Sequence, residues 1–179
     1  AKFKNTAIFF DTQFLLAALG CAGNSIKAPK MELLELLKKS GATLKCFDHT
    51  VDEIAAVLRG CARNMRGASR YSGYGISFGY FLTEGFSESD ILLRVARLEG
   101  DLDKLKIVVE PRPKYEIKYV IDEEVLDSVL STHINYSNPF AKQRDIDSLS
   151  AIIRLRGDYV PRSIESSKAL FATTNSGLV

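Results

Sequence analysis

The sequence predicts an α/β chain built on a central, mostly parallel sheet, and three observations carry that reading. Short apolar runs alternate with longer amphipathic stretches in the order strand, helix, helix, strand, helix. The first run, Ala7-Ile8-Phe9-Phe10, has no polar residue, as a strand buried on both faces requires. No internal repeat or low-complexity linker divides the 179 residues, so residues 1–179 read as one domain with its own core.

The elements follow in order. Residues 7–10 form the first strand. Phe14 to Leu19 is a short helix ended by Gly20 or Gly23. Pro29 suits the first turn of the next helix, whose apolar face is Met31, Leu33, Leu34, Leu36 and Leu37. Ser40-Gly41 stops it. Thr43 to Phe47 is the second strand. Thr50 opens a helix with an inward stripe of Val51, Ile54, Ala55, Val57 and Leu58. From about Arg66 to Phe86 the chain is rich in glycine and aromatics, with Tyr71, Tyr74, Phe78, Tyr80 and Phe81. Ser87 to Lys104 is a charged amphipathic helix with Ser87 and Asp90 as a cap pair. Ile107-Val108-Val109 is a strand ended by Pro111 and Pro113. Val125 to Leu130 is helical, and Tyr136 to Pro139 is a turn. Asp145 to Arg156 is a helix with Leu149, Ile152, Ile153 and Leu155 inside. Leu170-Phe171-Ala172 is the last strand and runs into Thr173-Thr174-Asn175. The chain begins on Ala1 rather than Met and stops soon after this strand. Both facts are expected of a domain cut from a longer protein, and a trimmed tag explains the first equally well.

Bulk composition narrows the setting more than the function. A formal net charge of +2 gives no global case for a nucleic-acid partner, so any basic surface must be local. Cys21, Cys46 and Cys61 are odd in number and have no metal-ligand spacing, which predicts buried thiols in a reducing, cytoplasmic compartment. His49 and His133 have no zinc-type spacing. Lys2 and Lys4 before an apolar stretch ending in Leu19-Gly20-Cys21 imitate a secretion signal, but Asp11-Thr12-Gln13 breaks its middle. A charge there opposes insertion by about 2.5–3.5 kcal/mol. No segment has membrane-spanning length.

Four acids are candidates for chemistry: Asp11, Glu53, Asp145 and Asp147. Asp11 follows the first strand, where parallel sheets hold ligands, although it also suits a helix N-cap. Thr50-Val51-Asp52-Glu53 matches a capping box, which alone explains Glu53. Asp145 and Asp147 suit the first turn of a helix. Two residues apart, they do not share a helix face, so one is the expected ligand and the other stands behind it. If folding gathers these acids, each like-charge pair at about 5 Å costs about 3 kcal/mol at an effective dielectric of about 20. A hard divalent cation, Mg²⁺ or Mn²⁺, relieves that cost, and its natural chemistry is phosphodiester hydrolysis.

Four segments share an order with a known superfamily. They are Ile8-Phe9-Phe10-Asp11-Thr12 with Phe14-Leu15-Leu16, His49-Thr50-Val51-Asp52-Glu53-Ile54, Asp147-Ser148-Leu149-Ser150-Ala151-Ile152, and Phe171-Ala172-Thr173-Thr174-Asn175. On these the chain resembles the PIN-like nucleases over about residues 6–66 and 142–178. The resemblance implies a three-layer α/β/α fold, with residues from about 67 to 140 as a helical and aromatic insertion. It implies a metal site of Asp11, Glu53 and Asp147 or Asp145, with Thr12, Thr174 and Asn175 orienting water or phosphate. It further implies cleavage of RNA or DNA, with single-stranded RNA favoured. Two departures matter: Gln13 stands where many members carry Asn or Ser, and Asn175 replaces the last Asp of part of the family. The alternative is a catalytically degenerate module of the same fold that binds RNA or protein.

Substrate contact requires cations. Arg63 and Arg66, three apart, share a helix face, and Arg70 with Tyr71 and Tyr74 adds the arginine–aromatic interleaving that suits single strands. Phe78 and Phe81 read as core, and Arg154 and Arg156 as solvated charges at a helix end. A haloacid dehalogenase-type phosphatase needs a second Asp where Gln13 stands. A dinucleotide-binding turn needs glycines after the first strand, and Asp11-Thr12-Gln13-Phe14 has none. A homo-oligomer or further domains of a longer chain remain open partners.

Overall fold

The computed structural model describes residues 2–67, 75–119, 121–134 and 139–175. Among them, four strands form one all-parallel sheet: β1 (Ala7–Phe10), β2 (Thr43–Phe47), β3 (Val108–Glu110) and β4 (Ala169–Ala172), in the order β3-β2-β1-β4. Seven helices flank it: α1 (Thr12–Ala18), α2 (Asn24–Lys39), α3 (Asp48–Met65), α4 (Ile76–Thr83), α5 (Glu88–Lys104), α6 (Glu123–His133) and α7 (Pro139–Arg156). The architecture is a three-layer α/β/α arrangement.

The strands build two cores by alternation, because successive side chains leave a strand on opposite faces. Ile8, Phe10, Leu44 and Cys46 enter the larger core with Phe14, Leu34, Ile54, Leu58, Phe81, Ile91 and Leu102 of α1–α5. Phe9, Phe47 and Ala169 face the other way, onto Ala151 and Ile152 of α7. There the Phe9 and Phe47 rings stack with centroids 4.4 Å apart, an arrangement that adds about 0.5–1.5 kcal/mol beyond the area buried. The stretch from 75 to 110 belongs to this framework. Its α5 packs along α3, its Phe78 and Phe81 are core residues, and its β3 pairs in parallel with β2. The three cysteines are buried and unpaired.

Several boundaries differ from the sequence reading, each for a physical reason. Helix α2 starts at Asn24, so Pro29 lies inside it rather than in its first turn. Its inward row is Met31, Leu34 and Leu37, while Leu33 and Leu36 are exposed, since a helix offers one stripe to one sheet. Helix α3 starts at Asp48, because Phe47 already has the extended backbone of an N-cap. Thr50 is therefore inside the helix and buried, and the Thr50–Glu53 capping box does not form. The Ser87–Asp90 capping box does, with both of its reciprocal bonds. Helix α7 starts at Pro139, whose fixed φ suits a first helical position. Asp145 and Asp147 thus stand on its seventh and ninth residues rather than in its first turn. Ile153, expected inside, is 40% exposed, whereas Ile146 is buried. Arg156 is more than a solvated charge: its Nε donates to the Ala169 carbonyl at 2.8 Å and ties the end of α7 to the start of β4. Among the described residues no helix is long and apolar enough to cross a membrane.

Candidate functional site

The site begins with register. β1 and β4 run parallel with Phe10 opposite Ala172, so the next residues, Asp11 and Thr173, leave the sheet side by side. Asp11 is buried, at 8% exposure, and serves two elements at once. One carboxylate oxygen accepts the Phe14 N–H at 2.6 Å as the N-cap of α1. The other accepts the Thr173 hydroxyl at 2.6 Å and the Thr174 N–H at 2.9 Å. The cap and the site-residue interpretations of Asp11 are therefore compatible.

Two further acids are linked to this centre through hydrogen-bond donors. Thr12, next to Asp11, donates its hydroxyl to Glu53 at 2.5 Å. The Thr173 hydroxyl accepts the Asn175 N–H at 2.9 Å, and the Asn175 side-chain amide donates to Asp145 at 3.3 Å. The chain of contacts runs Glu53–Thr12, then Asp11–Thr173–Asn175–Asp145, across the carboxyl ends of β1 and β4. Burial pushes the Glu53 carboxyl above its usual range, the negative Asp145 and Asp11 push it further, and the Thr12 hydroxyl and Arg144 act against them. Raising an acid's pKa on folding makes its ionisation unfavourable to the fold. The stability linked to Glu53 is present below its unfolded pKa and is lost as pH rises through the raised value.

Asp147 takes no part in this chain. It accepts from Arg112 at 2.7 Å and from Gln143 at 3.1 Å. Beside it, buried Ser148 bonds the Nε2 of buried His49 at 2.9 Å. The His49 ring stacks on Phe47, and among the described residues its Nδ1 has no hydrogen-bond partner, with Asp48 Oδ1 3.7 Å away. The ring's pKa is lowered to about 4, chiefly by burial and with the help of Arg112 and Arg144, against the opposing pull of Asp147 and Asp48.

Of the expected substrate-binding residues, the two that are described, Arg63 and Arg66, lie elsewhere. Helix α3 leaves the carboxyl end of β2 and carries Glu53 in its second turn. At 1.5 Å per residue, Arg63 and Arg66 are about 15 and 20 Å further along the axis. Arg66 is 2.5 Å from Glu88. Arg70 and Tyr71, with Tyr74, lie outside the described residues. Sequence reasoning missed a role for Thr173 and for Arg144. The signal for Thr173 is its place one residue beyond β4, which becomes informative only once β4 is known to pair with β1.

The donor set suits a hard divalent cation in chemistry and in charge. Carboxylate oxygens of Asp11, Glu53 and Asp145 are of the right type, and the strained ionisation of Glu53 is the electrostatic condition a cation relieves. Among the described residues, however, no three His, Cys, Asp or Glu side chains are grouped closely enough to form a ligand set. The acids share a field rather than a closed coordination shell. Comparison with protein-family models, with curated proteins and with solved structures finds no match for the chain.

Proposed function

We propose that this chain is a divalent-metal-dependent nuclease of the PIN-like type that hydrolyses phosphodiesters in single-stranded RNA. The observation that supports it is the placement of three acids at the carboxyl ends of β1 and β4: Asp11 and Asp145 are linked by hydrogen bonds through Thr173 and Asn175, and Glu53 is held by Thr12, the residue after Asp11. That is where a parallel sheet offers its loops to a ligand.

Asp11, Glu53 and Asp145 would hold Mg²⁺ or Mn²⁺. When bound, the metal supplies a water of lowered pKa and stabilises charge growing on phosphate oxygens. The chain's own residues position these groups. Asp11 is fixed by three donors and cannot swing away. Thr12 holds Glu53 by one oxygen and leaves the other for a ligand. Asn175 steers Asp145 without adding charge. Asp147, neutralised by Arg112, would support α7 rather than bind metal.

Glu53→Gln is the cleanest test, because glutamine keeps the oxygen that accepts from Thr12. Mn²⁺-dependent cleavage of single-stranded RNA should fall at least about a hundredfold. In chelator at pH 8 the variant should melt about 2–4 °C above wild type. This corresponds to about 1 kcal/mol from deleting a half-buried charge near other acids, discounted for solvent screening. Wild-type cleavage rates in Glu53→Gln would end the proposal.

The second reading, a degenerate binding module, draws on the absence of a closed ligand group among the described residues. Metal titration separates the two. Mn²⁺ at a hundred times its dissociation constant stabilises a true site by about 2.7 kcal/mol, whereas a pure scaffold melts unchanged.

A further inference from the structure

We infer that Arg144, with Arg112 beside it, forms the phosphate-contacting edge of this acidic site, so that a single-stranded polynucleotide crosses the α7 side of the sheet's carboxyl ends. The inference rests on the nuclease reading and names where its substrate lies.

Arg144 precedes Asp145 on α7. Residues three and four further along a helix share its face, and here these are Asp147 and Ser148. Asp147 holds Arg112 at 2.7 Å, and Ser148 holds His49, on the second residue of α3, at 2.9 Å. Arg144 therefore stands on the strip of α7 that meets the start of α3 and the segment following β3. The same placement explains why its charge acts on both Glu53 and His49.

Arg144 is half-buried. Among the described residues no hydrogen bond or ion pair engages its guanidinium. Three other arginines are committed: Arg112 to Asp147, Arg66 to Glu88, Arg156 to a backbone carbonyl. An anion with two acceptor oxygens supplies the missing partner, and phosphate matches the planar fork of arginine in geometry. Arg112 contributes a second positive centre on the same side. With Asp147 already neutralising it, it gives direction more than net charge. Arg63 and Arg66, at the far end of α3, are too distant to serve the same phosphate.

The test is fluorescence anisotropy with a labelled single-stranded RNA and the full chain in chelator, at several salt concentrations. Arg144→Gln should raise Kd about tenfold and reduce the slope of log K against log salt by about 0.7. Arg144→Lys should recover part of the affinity, because it restores charge but not the fork. Arg63→Gln should bind within about twofold of wild type. Inorganic phosphate should compete less effectively against the Gln variant than against wild type. The Mn²⁺-induced rise in Tm should persist in Arg144→Gln, since removing a cation favours metal at the acids. An unchanged Kd and salt slope in Arg144→Gln would overturn the inference. So would a wild-type chain that takes Mn²⁺ but not RNA, in which case the metal site survives. A wild type that takes neither removes the nuclease reading, and this inference with it.

Discussion

Asp11→Asn is expected to cost the fold about 3 kcal/mol, enough to lower Tm by about 6–12 °C in a chain of this size. The carboxylate is buried and accepts three bonds through two oxygens. Asparagine has one oxygen. Either the first turn of α1 or the segment leaving β4 must then face an NH₂ group instead of an acceptor. Bonds to a charged acceptor are each worth about 1.5–3 kcal/mol, and a buried donor facing a donor adds its own penalty. Thermal or urea unfolding followed by circular dichroism measures the loss. A variant melting within 2 °C of wild type, on the scale of about 1 kcal/mol or less, would mean these bonds carry little. The same reasoning warns against taking lost activity in this variant as proof of catalysis, because the site's frame would be damaged too. Glu53→Gln is free of that ambiguity.

The second large effect belongs to His49. Its pKa is lowered to about 4 chiefly by burial, so the fold favours the neutral ring. A base with a depressed pKa gives stability that is complete above its ordinary value, about 6.5, and is lost as pH falls towards 4. The full loss over that window is about 3 kcal/mol. His49→Gln retains a polar partner for Ser148 and cannot titrate. Between pH 6.5 and 4 wild type should lose about 3 kcal/mol relative to the variant. Below 4 both should fall together as carboxylates protonate. Parallel curves over the whole range would show that other groups set the acid limit.

How much of this was legible beforehand depends on distance along the chain. Residues 7–10 and 43–47 could be read as strands because an unbroken apolar run bounded by turns has few other solutions. Ser87 and Asp90 could be read as a cap because the capping box is local. Glu53 was obscured for the converse reason. Its local pattern fitted a cap, and only the backbone of Phe47 and the burial of Thr50 show that the helix starts earlier. Pro139 looked like part of a turn, and its role as a first helical residue moved Asp145 and Asp147 into the body of α7. The division of labour between those two acids depends on which face of α7 meets Asn175 and which meets Arg112. No spacing rule encodes that. The Asp11–Thr173 contact joins residues 162 apart in sequence, and it follows from strand register alone.

That contact also sets a condition in time. Of the four strands in the sheet, β4 is synthesised after the other three, and it docks against β1, the earliest of them. A ribosome that has synthesised the acids up to residue 160 has not yet produced the two threonines that receive Asp11. Until then Asp11 has the Phe14 N–H but lacks the other two of its three donors, and clipping before residue 169 would return it to that unfinished condition.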